Sequence, residues 1–373
     1  MREGCVLDRL AALGVDTVAS LPCDRTQEFC ALIPERFRAV NLTREEDGVG
    51  ISAGLVMAGR RPVLHMQSSG LGNSLNAIMS LTVTFGLPLP VLASWRGVYR
   101  EAIPAQVPFN QAVPDVLAAL NIPYTIIRDP SDEGLIDEVV QDAYDSMRPH
   151  VGLILPSFWE GTEEACPAEQ PPPPRARESA LEYRRTFREP VMARNDAIRV
   201  IAGGLDDEAA VANIGVPAKE LYAANDRDLN FYMLGSYTQA TPIGLGLAIG
   251  TDRDVVVLDG DGSLLGTAVL PVVAAEVPEN LTIVCLDNGA FGSTGNQPTP
   301  ASGLVDMELL ARAAGIRRTC KVQDEEELAE AWESRGRGPN FIHVVLRPGN
   351  ASVPNIPLAP AEIRERFVRA IRG

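Results

Sequence analysis

Asp261 and Asn288 each stand where a run of apolar residues gives way to a polar turn, with a helix-length segment between them. Val255 to Leu258 is continuous apolar sequence, the pattern of a strand buried on both faces. It ends in Asp259-Gly260-Asp261-Gly262-Ser263. A second expected buried strand, Leu281 to Leu286, ends in Asp287-Asn288-Gly289. In a parallel sheet both ends fall on one rim, so a carboxylate and an amide oxygen converge there. These are hard donors suited to Mg²⁺, which keeps one or two protein side chains and takes its other ligands from phosphate and water. Glycines on either side of Asp261 predict a sharp turn and close approach of a ligand to the backbone. The competing reading is a Rossmann-like strand–turn–helix without a metal.

A second group of candidates lies near the amino end. Thr43-Arg44-Glu45-Glu46 reads as a capping box, Thr43 at the N-cap and Glu46 three residues on. That leaves Glu45 without a structural duty at the head of a small-residue helix, Gly48 to Gly59. Gln67-Ser68-Ser69-Gly70-Leu71-Gly72-Asn73 is a glycine-rich entry to a helix and a candidate anion cradle. Arg96 follows the strand Leu89 to Ala93, where its planar fork can grip an anion; a surface salt bridge is the equal alternative. Arg25 likewise follows the strand Thr17 to Leu21, with Asp24 beside it. His65, His150 and His343 are scattered, and each reads as structural.

The elements that must position these residues span 373 residues, enough for two domains of average size. With 46% hydrophobic residues the chain can bury a substantial core, and its net charge of −16 argues against nucleic acid as a partner. Six cysteines without a CxxC pair suggest free thiols in a reducing cytoplasm. No apolar run is long enough to cross a membrane, and the first residues lack the apolar stretch of a signal peptide. Between residues 160 and 178 the composition shifts, and Pro171 to Pro174 favour an extended spacer. The division expected is 1–160, a Pro-rich linker over 161–190, and 191–373. The halves also echo each other: a glycine-rich helix, a short charged turn, a buried strand, then a polar glycine loop, once over 48–70 and again over 242–263. This implies two similar open parallel sheets of α/β class.

The GDGS segment, followed at this spacing by an apolar strand and Asp-Asn, resembles the thiamine diphosphate motif, and the paired sheets are similar to the two cofactor domains of that enzyme family. The resemblance implies a pyrimidine-binding domain followed by a diphosphate-binding domain. It implies Mg²⁺ held by Asp261, Asn288 and the main-chain carbonyl of Ala290, with the diphosphate over Gly260, Asp261, Gly262 and Ser263. Ser69, Gly70, Asn73, Gly235 and Ser236 become further cofactor contacts. Tyr237 occupies the position of the wedge that bends the cofactor, where many members carry Met, Leu or Ile. Counting back from Gly54 identifies Glu45 as the catalytic glutamate, bonded to the pyrimidine ring.

LPCDR, LTREEDGVGISAG, MQSSGLGNSLNAIMSL, GLPLPVLASWRG and DNGAFGSTGNQPT narrow the resemblance to the sulfopyruvate decarboxylases of coenzyme M biosynthesis. The phosphonopyruvate decarboxylases share much of this pattern. Several relatives keep the two domains on separate α and β chains, so the Pro-rich linker resembles a fusion. The large central domain of pyruvate-type decarboxylases is absent, which counts against acetolactate synthase. An anionic 2-keto acid is the substrate implied, with Asp24, Arg25, Arg96, Ser293 and Asn296 around its distal anion. A homo-oligomer, dimer or tetramer, is the assembly implied, with loops 67–73 and 94–97 facing 260–263 and 293–298 of a partner. A non-catalytic cofactor-binding subunit is disfavoured because Glu45, Asp261 and Asn288 occur together on one chain.

Overall fold

The computed structural model describes residues 2–161 and 188–373; the proline run therefore lies outside the described residues. Strands β1 (Thr17–Ser20), β2 (Arg38–Asn41), β3 (Pro62–Gln67), β4 (Leu89–Ser94), β5 (Tyr124–Ile127) and β6 (Pro149–Ile154) form one sheet. Strands β7 (Ala209–Ala212), β8 (Asn230–Tyr232), β9 (Val255–Gly260) and β10 (Leu281–Asp287) belong to a second. A two-stranded hairpin follows, β11 (Ala290–Phe291) with β12 (Gln297–Pro298). The chain then returns to the second sheet with β13 (Arg318–Val322) and β14 (Asn340–Val345). All pairings within the two large sheets are parallel.

The first sheet runs β2-β1-β3-β4-β6-β5 and the second, read from its β8 edge, runs β8-β7-β9-β10-β14-β13. Numbered within each domain, these are the same order. The internal echo in the sequence is thus a repeated topology, with β3 equivalent to β9 and β4 to β10. In both, the central strands are buried up to their last residue, and the candidate residues lie at or just past their carboxyl ends. This is where ligands bind in open parallel sheets.

The helices that precede β3 and β9 in the two domains, Glu45–Met57 and Ala240–Gly250, pack against each other. A side chain at Gly50 would strike Gln239 and Pro242, one at Gly54 the main chain of Ile243 to Leu247, and one at Gly250 the Ala58 methyl. The contacts advance together along both helices, so these run side by side in one direction with their amino ends at the same end of the interface. Small residues let the backbones approach to main-chain contact. The carboxyl-terminal helix Pro360–Arg372 reinforces the junction: Arg372 donates to the Val56 and Met57 carbonyls, and Arg364 to those of Phe85 and Gly86.

The capping box expected at Thr43 is not formed. The helix begins at Glu45 with Arg44 at its N-cap and no side-chain cap. Thr43 instead donates across the domain junction to the Ala268 carbonyl, 2.8 Å away, and Glu46 pairs with Arg44 at 3.0 Å. Tertiary contact outcompetes a local cap because the junction offers Thr43 an acceptor. Three acids in the first turn, Glu45, Glu46 and Asp47, complement the positive end of the helix.

Candidate active site

In the second sheet, register brings Gly260 level with Leu286, so Asp261 and Asp287 each follow the last paired residue, with Asn288 one further on. Asp261 and Asn288 are buried, and so is Asp287, whose carboxylate pairs with His343 at 2.7 Å. Burial, then the charge of Asp287, pushes the Asp261 carboxyl up to about 6, while a hydrogen bond from Thr299 works in the opposite direction. Asn288 accepts from the Ala290 amide at 3.3 Å, and its Nδ2 is buried with no partner. The crowded Asp261 carboxylate and the Asn288 amide oxygen on one rim fit a hard divalent cation, which would offset the charge that burial opposes, while the unpartnered Asn288 Nδ2 is a donor that fits an anionic oxygen.

The glycines of this turn work differently from the sequence expectation. Gly260 is extended, at φ −99° and ψ 154°, and Gly262 lies inside the short helix Asp261–Leu265. Neither needs left-handed backbone. A side chain at Gly262 would meet the Phe291 ring at 2.5 Å, so this glycine is set by close approach of the hairpin.

The Gly235-Ser236-Tyr237 segment faces the same turn. Tyr237 donates to the Gly262 carbonyl at 2.5 Å and remains 41% exposed. Ser236 and Thr238 on either side have φ of 69° and 76°, left-handed values that a β-branched threonine strongly resists. The Ser236 hydroxyl is buried without a partner. Ser293 and Asn296 lie on an exposed loop between the hairpin strands, Ser293 against Gly215.

In the first sheet the equivalent rim carries a different network. Asn73 donates to Glu45 at 3.1 Å, and Gly70 lies so close beneath that any side chain there would displace the Glu45 carboxyl. Ser69 shares Gln67 and Gln106 as partners, and Gln67 accepts from Arg96 Nη1 at 3.2 Å. Glu45, Ser69, Gly70, Asn73, Asp24 and Arg96 thus come together on one rim. Arg25 lies beside them, with Nε buried without a hydrogen bond and 3.8 Å from Asp24.

Arg96 corrects both readings made from sequence. It is neither an open anion fork nor a surface ion pair, but one of the largest fully buried side chains. Glu101 takes it in bidentate fashion at 2.7 and 2.9 Å, and Asp24 binds its Nη1. The Glu101 carboxylate is held down at about 2, chiefly by the Arg96 hydrogen bonds. Glu101 has no motif to mark it; it sits in an irregular loop, and only the folded chain turns it back onto Arg96. Gln67 and Thr299 sit within the quoted motifs, yet nothing in their type announced their partners.

The two rims join through structural residues. Asp47 accepts from Thr267 at 2.7 Å and from the Ala268 amide at 3.3 Å, and Gln239 accepts from the Gly50 amide at 3.1 Å. Among the described residues no hydrogen bond or ion pair links Glu45 or Arg96 to residues 260–263 or 288–298. The histidines serve their own sheets: His65 bonds Ser20 and Thr26, His150 bonds Thr125 and Asp142.

Residues 4–118 match the model of the thiamine pyrophosphate enzyme N-terminal TPP binding domain, and residues 214–344 that of the C-terminal TPP binding domain. The chain is 47% identical to a sulfopyruvate decarboxylase of Methanosarcina acetivorans, covering 98% of this chain and 96% of that one. It is 32% identical to a phosphonopyruvate decarboxylase of Streptomyces viridochromogenes, covering 96% and 92%. Benzoylformate decarboxylase from Polynucleobacter necessarius shares the fold with a TM-score of 0.71 at 14% identity, over 95% of this chain and 99% of that structure. Both halves match at once and in order. The chain belongs to the thiamine diphosphate-dependent decarboxylase family.

Proposed function

We propose that the chain decarboxylates 3-sulfopyruvate to sulfoacetaldehyde and CO₂, with thiamine diphosphate and Mg²⁺ as cofactors, in coenzyme M biosynthesis. The observation that carries the substrate is the similarity along the whole chain: 47% identity to a sulfopyruvate decarboxylase against 32% to a phosphonopyruvate decarboxylase. Bound between the two kinds of rim, thiamine diphosphate supplies the carbon nucleophile and electron sink that loss of CO₂ from a 2-keto acid requires.

The chain's own residues orient and exchange protons. Asp261, Asn288 and the Ala290 carbonyl would hold the metal, and the 260–263 turn the diphosphate. Tyr237, Ser236 and Gly235 would line the other side of the cofactor. Asn73 holds one oxygen of Glu45, and the other, Oε1, would hydrogen-bond the pyrimidine ring and exchange a proton with it. Ser69 and Gly70 shape the floor beneath that carboxylate. Arg96 and Arg25 would meet the substrate's distal anion, with Asp24 beside them and with Ser293 and Asn296 reaching it from a neighbouring subunit.

A homodimer or larger homo-oligomer, each site shared between subunits, fits the lack, among the described residues, of a hydrogen bond or ion pair from Glu45 or Arg96 to residues 260–263 or 288–298. Leu234, Tyr237 and Phe291 remain partly exposed apolar surface near the second rim. Five described cysteines are free thiols, in keeping with a reducing cytoplasm, and no helix of the described residues is long and apolar enough to cross a membrane.

CO₂ release from sulfopyruvate, phosphonopyruvate and pyruvate, with and without thiamine diphosphate and Mg²⁺, tests the reading. Sulfopyruvate should be turned over with the highest kcat/KM. Preference for phosphonopyruvate would move the chain to the second activity, and CO₂ release without the cofactor would sink the assignment.

A further inference from the structure

We infer that the Asp24 carboxylate stands in for the substrate's distal anion: it covers the open edge of the Arg96 guanidinium and moves out to water when an anionic 2-keto acid binds. The inference rests on the reading that Arg96 meets that anion, and it concerns how a buried arginine can do so.

The two carboxylates on Arg96 are not alike. Glu101 takes Nε and Nη2, the bidentate edge, and its side chain is 5% exposed. Its oxygens also accept from the Gly97 amide at 3.3 Å and the Ile103 amide at 3.1 Å. Removing Glu101 would strand a buried guanidinium and break four hydrogen bonds, so this pair is fixed. Asp24 takes only Nη1, and its side chain is 51% exposed. Its other contacts are the Cys23 thiol at 3.4 Å and Arg25 Nε at 3.8 Å. Half of it already lies outside the buried cluster of the single chain, so its withdrawal carries no charge through that chain's interior.

The local charge balance points the same way. Arg96 and Arg25 face Glu101 and Asp24, two positive against two negative. A sulfonate entering beside Arg96 would leave one negative charge in excess. Withdrawal of Asp24 into solvent restores neutrality, with the anion between Nη1 of Arg96 and the unbonded Nε of Arg25. Gln67, which accepts from the same Nη1 at 3.2 Å, keeps the guanidinium in place during the exchange. Asp24 therefore opposes anions by competition, and a more highly charged phosphonate meets the same competitor together with greater repulsion.

Ethanesulfonate, which has the distal anion but no keto acid, is the probe, with its Kd read by calorimetry on the holoenzyme. Asp24→Asn retains a polar cover without the charge and should bind ethanesulfonate about tenfold more tightly than the parent. Arg96→Leu should bind ethanesulfonate at least tenfold more weakly. If Asp24→Asn weakens ethanesulfonate, Asp24 is a fixed orienting group and the exchange is wrong. Unchanged ethanesulfonate affinity in Asp24→Asn overturns it as well. Unchanged affinity in Arg96→Leu, with the protein folded, removes the underlying anion site instead. Failure to turn over sulfopyruvate would overturn the proposed activity while leaving the ethanesulfonate comparison readable. Circular dichroism and thermal melting of each variant separate misfolding from these outcomes.

Discussion

The loops after β3 and β9 occupy the same place in two copies of one topology, yet they hold opposite kinds of chemistry. After β3, Gln67, Ser69 and Gly70 join a network in which Arg96 is matched by Asp24 and Glu101 and Glu45 keeps one oxygen free of Asn73. After β9, Asp259, Asp261 and Asp287 are buried close together; the Asp259 carboxyl is pushed up by burial, and that of Asp261 by burial and by Asp287. One rim is balanced and hydrogen-bonded; the other carries excess negative charge that a cation would neutralise. Topology decides where ligands can bind, and side chains decide which half of a cofactor each rim accepts.

The contrast breaks most visibly at Asp261. Asp261→Ala should lower Mg²⁺-dependent thiamine diphosphate affinity by about 10³-fold or more, because it would remove the charged metal ligand proposed for the second rim. Titration calorimetry with both cofactor and metal checks this; parental affinity would remove the metal assignment.

Glu45→Gln should leave that affinity nearly intact and slow exchange of the cofactor's thiazolium C2 proton by about 10²–10⁴-fold. Proton–deuterium exchange followed by NMR distinguishes the two rims directly. Exchange at the parental rate would shift attention to Glu46, which the structure ties to Arg44.

Joining the rims depends on the two small-residue helices. A methyl group at Gly246 would collide with the Ile51 carbonyl, and backbone cannot yield as a flexible side chain can. Gly246→Ala should cost about 3 kcal/mol in urea unfolding. A variant as stable as the parent would mean that the domain junction adjusts freely.

A pH effect should appear at the same junction. Burial raises the Asp47 carboxyl to about 6, against hydrogen bonds from Thr267 and Ala268. A folded value above the unfolded one means that the folded state binds the proton more tightly. The contribution is therefore present below about pH 4 and is lost as pH rises through about 6, by roughly 1–3 kcal/mol. Asp47→Asn should flatten this part of the stability profile. An identical slope in parent and variant would exclude Asp47 as its source.

The smallest effect concerns strain confined to the second domain's loop. Thr238→Gly should raise stability by about 1 kcal/mol by relieving a threonine at φ 76°. A loss of stability would show that the Thr238 side chain contributes more than its backbone costs.

Much of this arrangement was legible before folding. Runs such as Val255 to Leu258 and Leu281 to Leu286, short and bounded by glycine turns, read as buried strands, and in a parallel sheet polar residues at their ends share a rim, so the placement of Asp261 and Asn288 was readable from pattern. The echo between the halves was legible for the same reason, since periodicity and turn chemistry are local properties. Glu101 was not, because its meaning depends on a loop that returns to Arg96. Thr43 and Glu46 spelled a local cap, but an acceptor on Ala268 in the other domain was available to Thr43. Arg96 was visible as a charge at a strand end; its burial between a fixed Glu101 and an exposed Asp24 came only from packing. Local sequence determines which strands form and what stands at their ends. Which charges become buried, paired or free depends on long-range contacts that no short stretch of chain encodes.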